Sequence, residues 1–173
     1  MYGLQGRDAD ALDAAQRALH VFQAAGDRVG QAIALTDVGW YQGRLGHHQQ
    51  ALAFCTQALR LHQELDNRPY QAPTWSCLGD THQHLGDQPQ AIACYRQALD
   101  LFREFGDRYG EAGTLAQLGE VHRSAGDPDA AREAWQHARD VLDELDPSTA
   151  DQVRTQLHHL DQSAAAEALF RQS

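Results

Sequence analysis

Ten histidines and three cysteines are the residues of this chain whose chemistry would be most specific if their spacing suited it. Two imidazoles on one helix face could hold a zinc ion or sense pH, but that face requires spacing of three or four residues. Six of the histidines instead fall in adjacent or alternate pairs, His47 with His48, His82 with His84, and His158 with His159. On a helix such neighbours point in different directions, so none of these pairs makes a two-ligand face. Cys55, Cys77 and Cys94 are odd in number and far apart, without the close pair of a metal knuckle or redox motif. They are expected to be reduced, buried packing residues. No glycine-rich phosphate loop, zinc-protease helix motif or nucleophile elbow occurs. Neither enzymatic activity nor a cofactor or metal is expected.

Charge narrows the class of partner. The net charge is −10, and all fourteen cationic residues are arginine. A duplex-binding face needs clustered positive charge to displace counterions, so direct nucleic-acid binding is not expected. Acidity rises along the chain and concentrates in residues 111–150, with nine carboxylates against three arginines. A basic or mixed-charge partner would be drawn there. No apolar run approaches the length of about eighteen residues that marks a membrane span, and no leader-like segment opens the chain. The reading is a cytoplasmic protein without membrane contact.

The elements that must position these residues repeat. "FQAAGDRVGQAIALTDVGW" at 22, "HQELDNRPYQAPTWSCLGD" at 62 and "FREFGDRYGEAGTLAQLGE" at 102 are in register with a period of forty. The period divides the chain, as a single domain over 1–173, into a partial unit 1–30, full units 31–70, 71–110 and 111–150, and a capping helix with a tail over 151–173. In each full unit the helical stripe, Leu35, Val38 and Leu45 or Trp75, Leu78 and Leu85, ends at Gly46, Gly86 or Gly126. Asp87, and Asp127 followed by Pro128, then cap a second helix. Its inward residues are Ala51, Cys55, Ala58, Leu59 and Leu65 in one unit and Ala91, Tyr95, Ala98, Leu99 and Phe105 in the next. Such a hairpin cannot bury its apolar face alone, so neighbouring hairpins must stack.

A large apolar residue, then Leu-Gly, then two alanines flanking an aromatic resembles the tetratricopeptide repeat. The matching residues are Trp75, Leu78, Gly79, Ala91, Tyr95 and Ala98, and then Leu115, Leu118, Gly119, Ala131, Trp135 and Ala138. The resemblance implies an all-α fold, a TPR-type α-solenoid in which antiparallel helical hairpins form a right-handed superhelix. The forty-residue unit exceeds the family's usual length of about 34 and lacks its closing proline. "LFREFGDRYGEA" is similar to the longer-helix variant of kinesin light chain-type proteins. It is also similar to the C-terminal repeat arrays of SARP-type bacterial transcriptional activators that carry a STAND-type ATPase module.

In the resembling family, ligands lie in a concave groove lined by first-helix residues at fixed offsets. Those offsets fall on Thr36, Asp37, Trp40 and Arg44; on Ser76, Cys77, Asp80 and His84; and on Ala116, Gln117, Glu120 and Arg123. The lysine and asparagine clamp that grips a C-terminal carboxylate elsewhere in the family is absent, since the chain has no lysine and only Asn67, at a joint. Trp40 is read either as a binding anchor or as packing, and Asp80 and Glu120 either as partner contacts or as a solvated face. The expected function is protein or peptide binding, with the chain as the regulatory arm of such a regulator and its own parent domains among the partners.

The ends differ from the middle. A helix is expected from about Asp8 to Ala25 without an upstream hairpin partner, leaving Leu12, Leu19 and Phe22 in need of cover. That implies a longer parent protein or a homodimer through this helix. Pro147 should break the pattern and Ser148 or Thr149 cap a last helix, with Val153, Leu157 and Leu160 inward. "SAAAEALFRQS" has helix propensity and few anchors. His82 and His122 occupy equivalent positions and suit packing between helices or a pH-responsive interface.

Overall fold

The computed structural model describes residues 2–170, with side chains described for residues 7–162. The chain is all-α and divides into two compact units, residues 1–105 and 106–173. Unit 1 holds α1 (Tyr2–Ala25), α2 (Arg28–Arg44), α3 (His48–Glu64), α4 (Arg68–His84) and α5 (Gln88–Phe105). Unit 2 holds α6 (Arg108–Ser124), α7 (Pro128–Leu145), a 3-10 turn (Pro147–Ala150) and α8 (Asp151–Phe170). The helices α2 with α3, α4 with α5, and α6 with α7 are the expected hairpins, and the fold is a TPR-type α-solenoid.

The joints follow from residue chemistry. Gly46, Gly86 and Gly126 end their helices at φ +84°, +81° and +79°, a conformation cheap only without a Cβ. At the other joint Gly26 and Gly106 are likewise left-handed, and Asp66 occupies the equivalent position at φ 50°. The next helix is started by Asp27, Asp107 and Asp127, whose carboxylates accept from the N–H of Gly30, Gly110 and Ala130. Each such cap contributes about 1 kcal/mol.

Within each hairpin a glycine of the first helix lies beneath a larger residue of the second. The pairs are Gly39 with Cys55, Gly79 with Tyr95 and Gly119 with Trp135. A Cβ at Gly79 would lie 2.7 Å from the Tyr95 ring. Ala51, Ala91 and Ala131, and Ala58, Ala98 and Ala138, are fully buried beside these contacts. A second recurring device, Arg28 with Glu64, Arg68 with Glu104 and Arg108 with Glu144, ties the start of each first helix to the end of its partner. These pairs are exposed, so they mark register more than they stabilise.

Several expectations need correction. Cys55 on α3 and Cys77 on α4 form a disulfide, Cα atoms 6.6 Å apart, and only Cys94 keeps a free thiol. The two helices belong to different hairpins, which is why a spacing of 22 residues did not look like a pair. α1 begins at Tyr2, not near Asp8. Leu85 and Phe105 are exposed, the first at the C-cap of α4 and the second at the last residue of α5, where helix ends outrun their packing. Asp146, not Ser148 or Thr149, caps after α7, accepting from the Ser148 N–H. Val153 and Leu160 are buried and Leu157 half-buried. The side chains of residues 163–170, and residues 171–173 altogether, lie outside the described residues, and with them the reading of the tail's anchors.

Candidate partner-binding faces

In unit 1 the first helices α2 and α4 are tied directly, with the Thr36 and Thr74 hydroxyls 2.9 Å apart. Asp80 of α4 lies over Gly43 of α2, within 4.0 Å of where a Cβ would stand. Around it the structure assembles side chains from four helices. Arg44 pairs with Asp8 of α1 at 3.0 Å. His84 lies 3.6 Å from the Asp80 carboxylate through Nδ1, which is also 2.8 Å from the Asp80 carbonyl. The His84 ring stacks on His48 of α3, centroids 4.6 Å apart and planes 17° apart.

Electrostatics at this cluster have identifiable causes. Burial pushes the Asp80 carboxyl up, opposed by His84, His48 and Arg44. His48 is pushed down by burial and then by His84, and its buried Nδ1 has no hydrogen-bond partner. The structure thus brings Arg44, Asp80 and His84 together and adds Asp8 and His48. Trp40 is 43% exposed on the same helix as Arg44. Asp37, also on α2, has its carboxyl pushed up by partial burial. Ser76 is half-buried, and Cys77 is in the disulfide and buried.

Sequence reasoning compared histidines within one helix and so missed the meeting of His48 with His84. It also missed His62, fully buried where the other units carry Phe22, Phe102 and Leu142. Burial pushes His62 down, and its Nε2 has no partner. Leu12, Leu19 and Phe22 are half-buried within unit 1, and among the described residues of α1 the exposed large apolar side chain is Val21.

Unit 2 has an open groove of about 430 Å³ beside α6, α7 and α8. Gln117 and Glu120 line it, as do Ala116, Gly113 and Tyr109 from α6 and Gln152 and Gln156 from α8. Trp135 forms part of its wall, with its indole N–H donated to the Ala116 carbonyl at 3.0 Å. Arg123 bonds to Glu120 through both Nε and an Nη. One of the two groove-lining amides of α8 had a findable signal. Gln156 stands forty residues after Ala116, at the offset already carried through Thr36 and Ser76. Reading α8 only as a cap hid it.

Among the described residues no group of three or more His, Cys, Asp or Glu is placed to hold a metal ion. No helix among them is long and apolar enough to cross a membrane. Both faces present hydrogen-bonding and charged groups on packed helices, an arrangement for recognition.

The repeat geometry has a counterpart in a known family. The tetratricopeptide-repeat profile matches residues 1–64 and 70–144. The chain belongs to the tetratricopeptide-repeat family. No curated protein sequence matches it. Among solved structures it is similar to BtubC from P. vanneervenii, with TM-score 0.82 and 20% identity over 94% of this chain and 68% of that one. A Rap protein complexed with Competence and Sporulation Factor is also similar, with TM-score 0.82 and 17% identity over 95% of this chain. This chain spans 47% of that Rap protein. A putative kinesin light chain with nearly identical TPR-like repeats from Podosopora anserina gives TM-score 0.67 and 12% identity, over 99% of this chain and 92% of that one. At these identities the likeness is one of fold.

Proposed function

We propose that this tetratricopeptide-repeat chain is a protein- or peptide-recognition module, and that it serves as the regulatory arm of a bacterial transcriptional regulator. The groove of unit 2, lined by first-helix residues Gln117 and Glu120, is the observation that carries recognition. The Rap protein of the same fold, solved in complex with Competence and Sporulation Factor, supports a role in binding a partner. The regulator reading rests on the resemblance of "LFREFGDRYGEA" and its forty-residue register to such arrays. The mechanism is occupancy: a partner that binds one arrangement of the hairpins better than another biases whatever is attached to them.

Such a regulator works in the cytoplasm, where a disulfide like that of Cys55 with Cys77 is uncommon. Its redox state in freshly lysed cells is therefore a direct check on the location. The test of recognition compares capture from source-cell lysate by the wild type, by a Trp40→Ala, Arg44→Ala, His84→Ala variant, and by a Gln117→Ala, Glu120→Ala variant. All three must first show equal helicity. A component retained by the wild type and lost from either variant is the expected result. Equal retention by all three, or recovery of the chain alone with a concentration-dependent mass, would replace groove recognition by self-association through α1.

A further inference from the structure

The charges of unit 2 are unevenly committed. Residues 106–173 carry thirteen carboxylates and six arginines, a formal −7, against eleven and eight, or −3, in unit 1. Every described arginine of unit 2 is already held by a carboxylate. Arg108 is held by Glu111 and Glu144, Arg123 by Glu120, Arg132 by Asp129 and Asp161, Arg139 by Asp140, and Arg154 by Asp143 and Asp151. An anionic partner would find no uncommitted arginine among the described residues of unit 2.

The groove itself offers a different set of groups. Gln117, Gln152 and Gln156 line it from two helices, and among the described residues none of their side chains makes a hydrogen bond. Each amide has both a donor and an acceptor. That is what the alternating N–H and C=O of an extended backbone need. Tyr109, 59% exposed, supplies an aromatic surface at the groove. Trp135 is almost fully buried with its N–H committed inside the unit, so it closes the groove wall and offers a peptide no donor. Glu120 is the charged residue lining the groove, and its carboxylate retains acceptor capacity beyond the Arg123 fork.

Resting on the recognition role proposed above, we infer that the groove of unit 2 takes an extended peptide segment bearing arginine or lysine. Its backbone lies on the three glutamine amides and a basic side chain shares Glu120. Acidic and carboxylate-terminated segments are refused, because the cation at hand among the described residues, Arg123, is already bound to Glu120 and the field of the unit repels them.

Gly113 provides a clean obstruction. It lies within α6, it lines the groove, and a Cβ added there meets nothing within 4 Å. Gly113→Leu therefore fills the groove while removing a helix-interior glycine, a change that does not lower helix stability. The experiment uses the full 173-residue chain and an array of end-blocked nonapeptides, each position scanned through arginine, glutamate, leucine and tyrosine. Retained peptides should be enriched in arginine and depleted in glutamate, with affinity falling about tenfold on replacing the key arginine by glutamate. Gly113→Leu should abolish retention with an unfolding temperature no lower than wild type. Glu120→Gln, which frees Arg123, should shift the preference toward glutamate.

Enrichment of glutamate by the wild type, or a Gly113→Leu variant that binds unchanged, overturns the inference. Binding lost in Trp40→Ala but kept in Gly113→Leu would remove this site and leave the recognition role standing on unit 1. No retained peptide at all, with only the chain binding itself, would sink both.

Discussion

In unit 1 the polar residues at the first-helix offsets are largely turned on one another. Arg44 is held by Asp8, His84 by Asp80 and the His48 ring, and Thr36 by Thr74. In unit 2 the residues carried over are Ala116, Gln117, Glu120 and Arg123, the last standing one place short of the forty-residue register. Only the last two are engaged, with each other, and an open groove with three free amides remains. The crosslinks differ as well: unit 1 has the disulfide between α3 and α4, whereas unit 2 relies on packing and hydrogen bonds. The same repeat can therefore be built as a closed, internally satisfied face or as an open one. What decides is whether neighbouring first helices supply partners for each other's polar side chains.

The contrast breaks most sharply at the glycine beneath the aromatic. Trp135 is almost fully buried over Gly119, and its indole N–H depends on that fit. Gly119→Leu adds overpacking of about 1–3 kcal/mol to the cost of a buried donor left without its acceptor, about 1–3 kcal/mol. A loss near 4 kcal/mol is expected, seen as faster amide exchange across α6 and α7 and a lower urea midpoint. If the loss is below about 1 kcal/mol, the close approach is not what holds unit 2 together.

Reduction tests the other side of the comparison. The disulfide closes a loop across 22 residues of unit 1, and opening a loop of that size costs about 3 kcal/mol. A reducing agent should raise amide exchange in α3 and α4 and leave α6 and α7 as they were. Cys94 will not reseal the bridge by exchange at neutral pH, because burial pushes its thiol up to about 11 and little thiolate exists. Equal exchange in the oxidised and reduced protein would show that packing alone fixes α3 against α4.

Much of this arrangement is legible in the sequence, for a physical reason. Features within one helix or one hairpin leave a periodic trace: the capping glycines, the glycine and aromatic pairs and the buried alanines all recur at forty. The arginine and glutamate clasps recur as well, at Arg28, Arg68 and Arg108 and at Glu64, Glu104 and Glu144, although only the structure shows that they meet. Contacts made once, between hairpins, leave none. Cys55 with Cys77 and His48 with His84 join residues from different hairpins that no other unit repeats, so neither pairing could be told from chance spacing. The groove was half legible, because Gln117 and Glu120 follow from the offsets while Gln152 and Gln156 belong to a helix read only as a cap.

His62 gives the smallest expected effect and the finest test of how closed unit 1 is. It is fully buried, where two other units have phenylalanine and one has leucine. Its Nδ1 lies 3.3 Å from the Asn67 side-chain nitrogen, its ring is stacked near Tyr70, and its Nε2 is without a partner. Burial holds its folded-state pKa below the ordinary 6.5. As pH falls through 6.5 the unfolded chain takes up a proton before the folded chain does, so stability present above that pH is progressively lost until the folded pKa is reached. His62→Phe removes the titration and restores the residue that the register favours. Wild type should lose more stability than the variant between pH 7.5 and pH 5 (~2.5 units spanning the ordinary histidine range), with the difference confined to exchange in α3 and the start of α4. Parallel pH profiles for the two proteins would mean that water reaches this ring, and that unit 1 is more open than its crosslink and ion pairs imply.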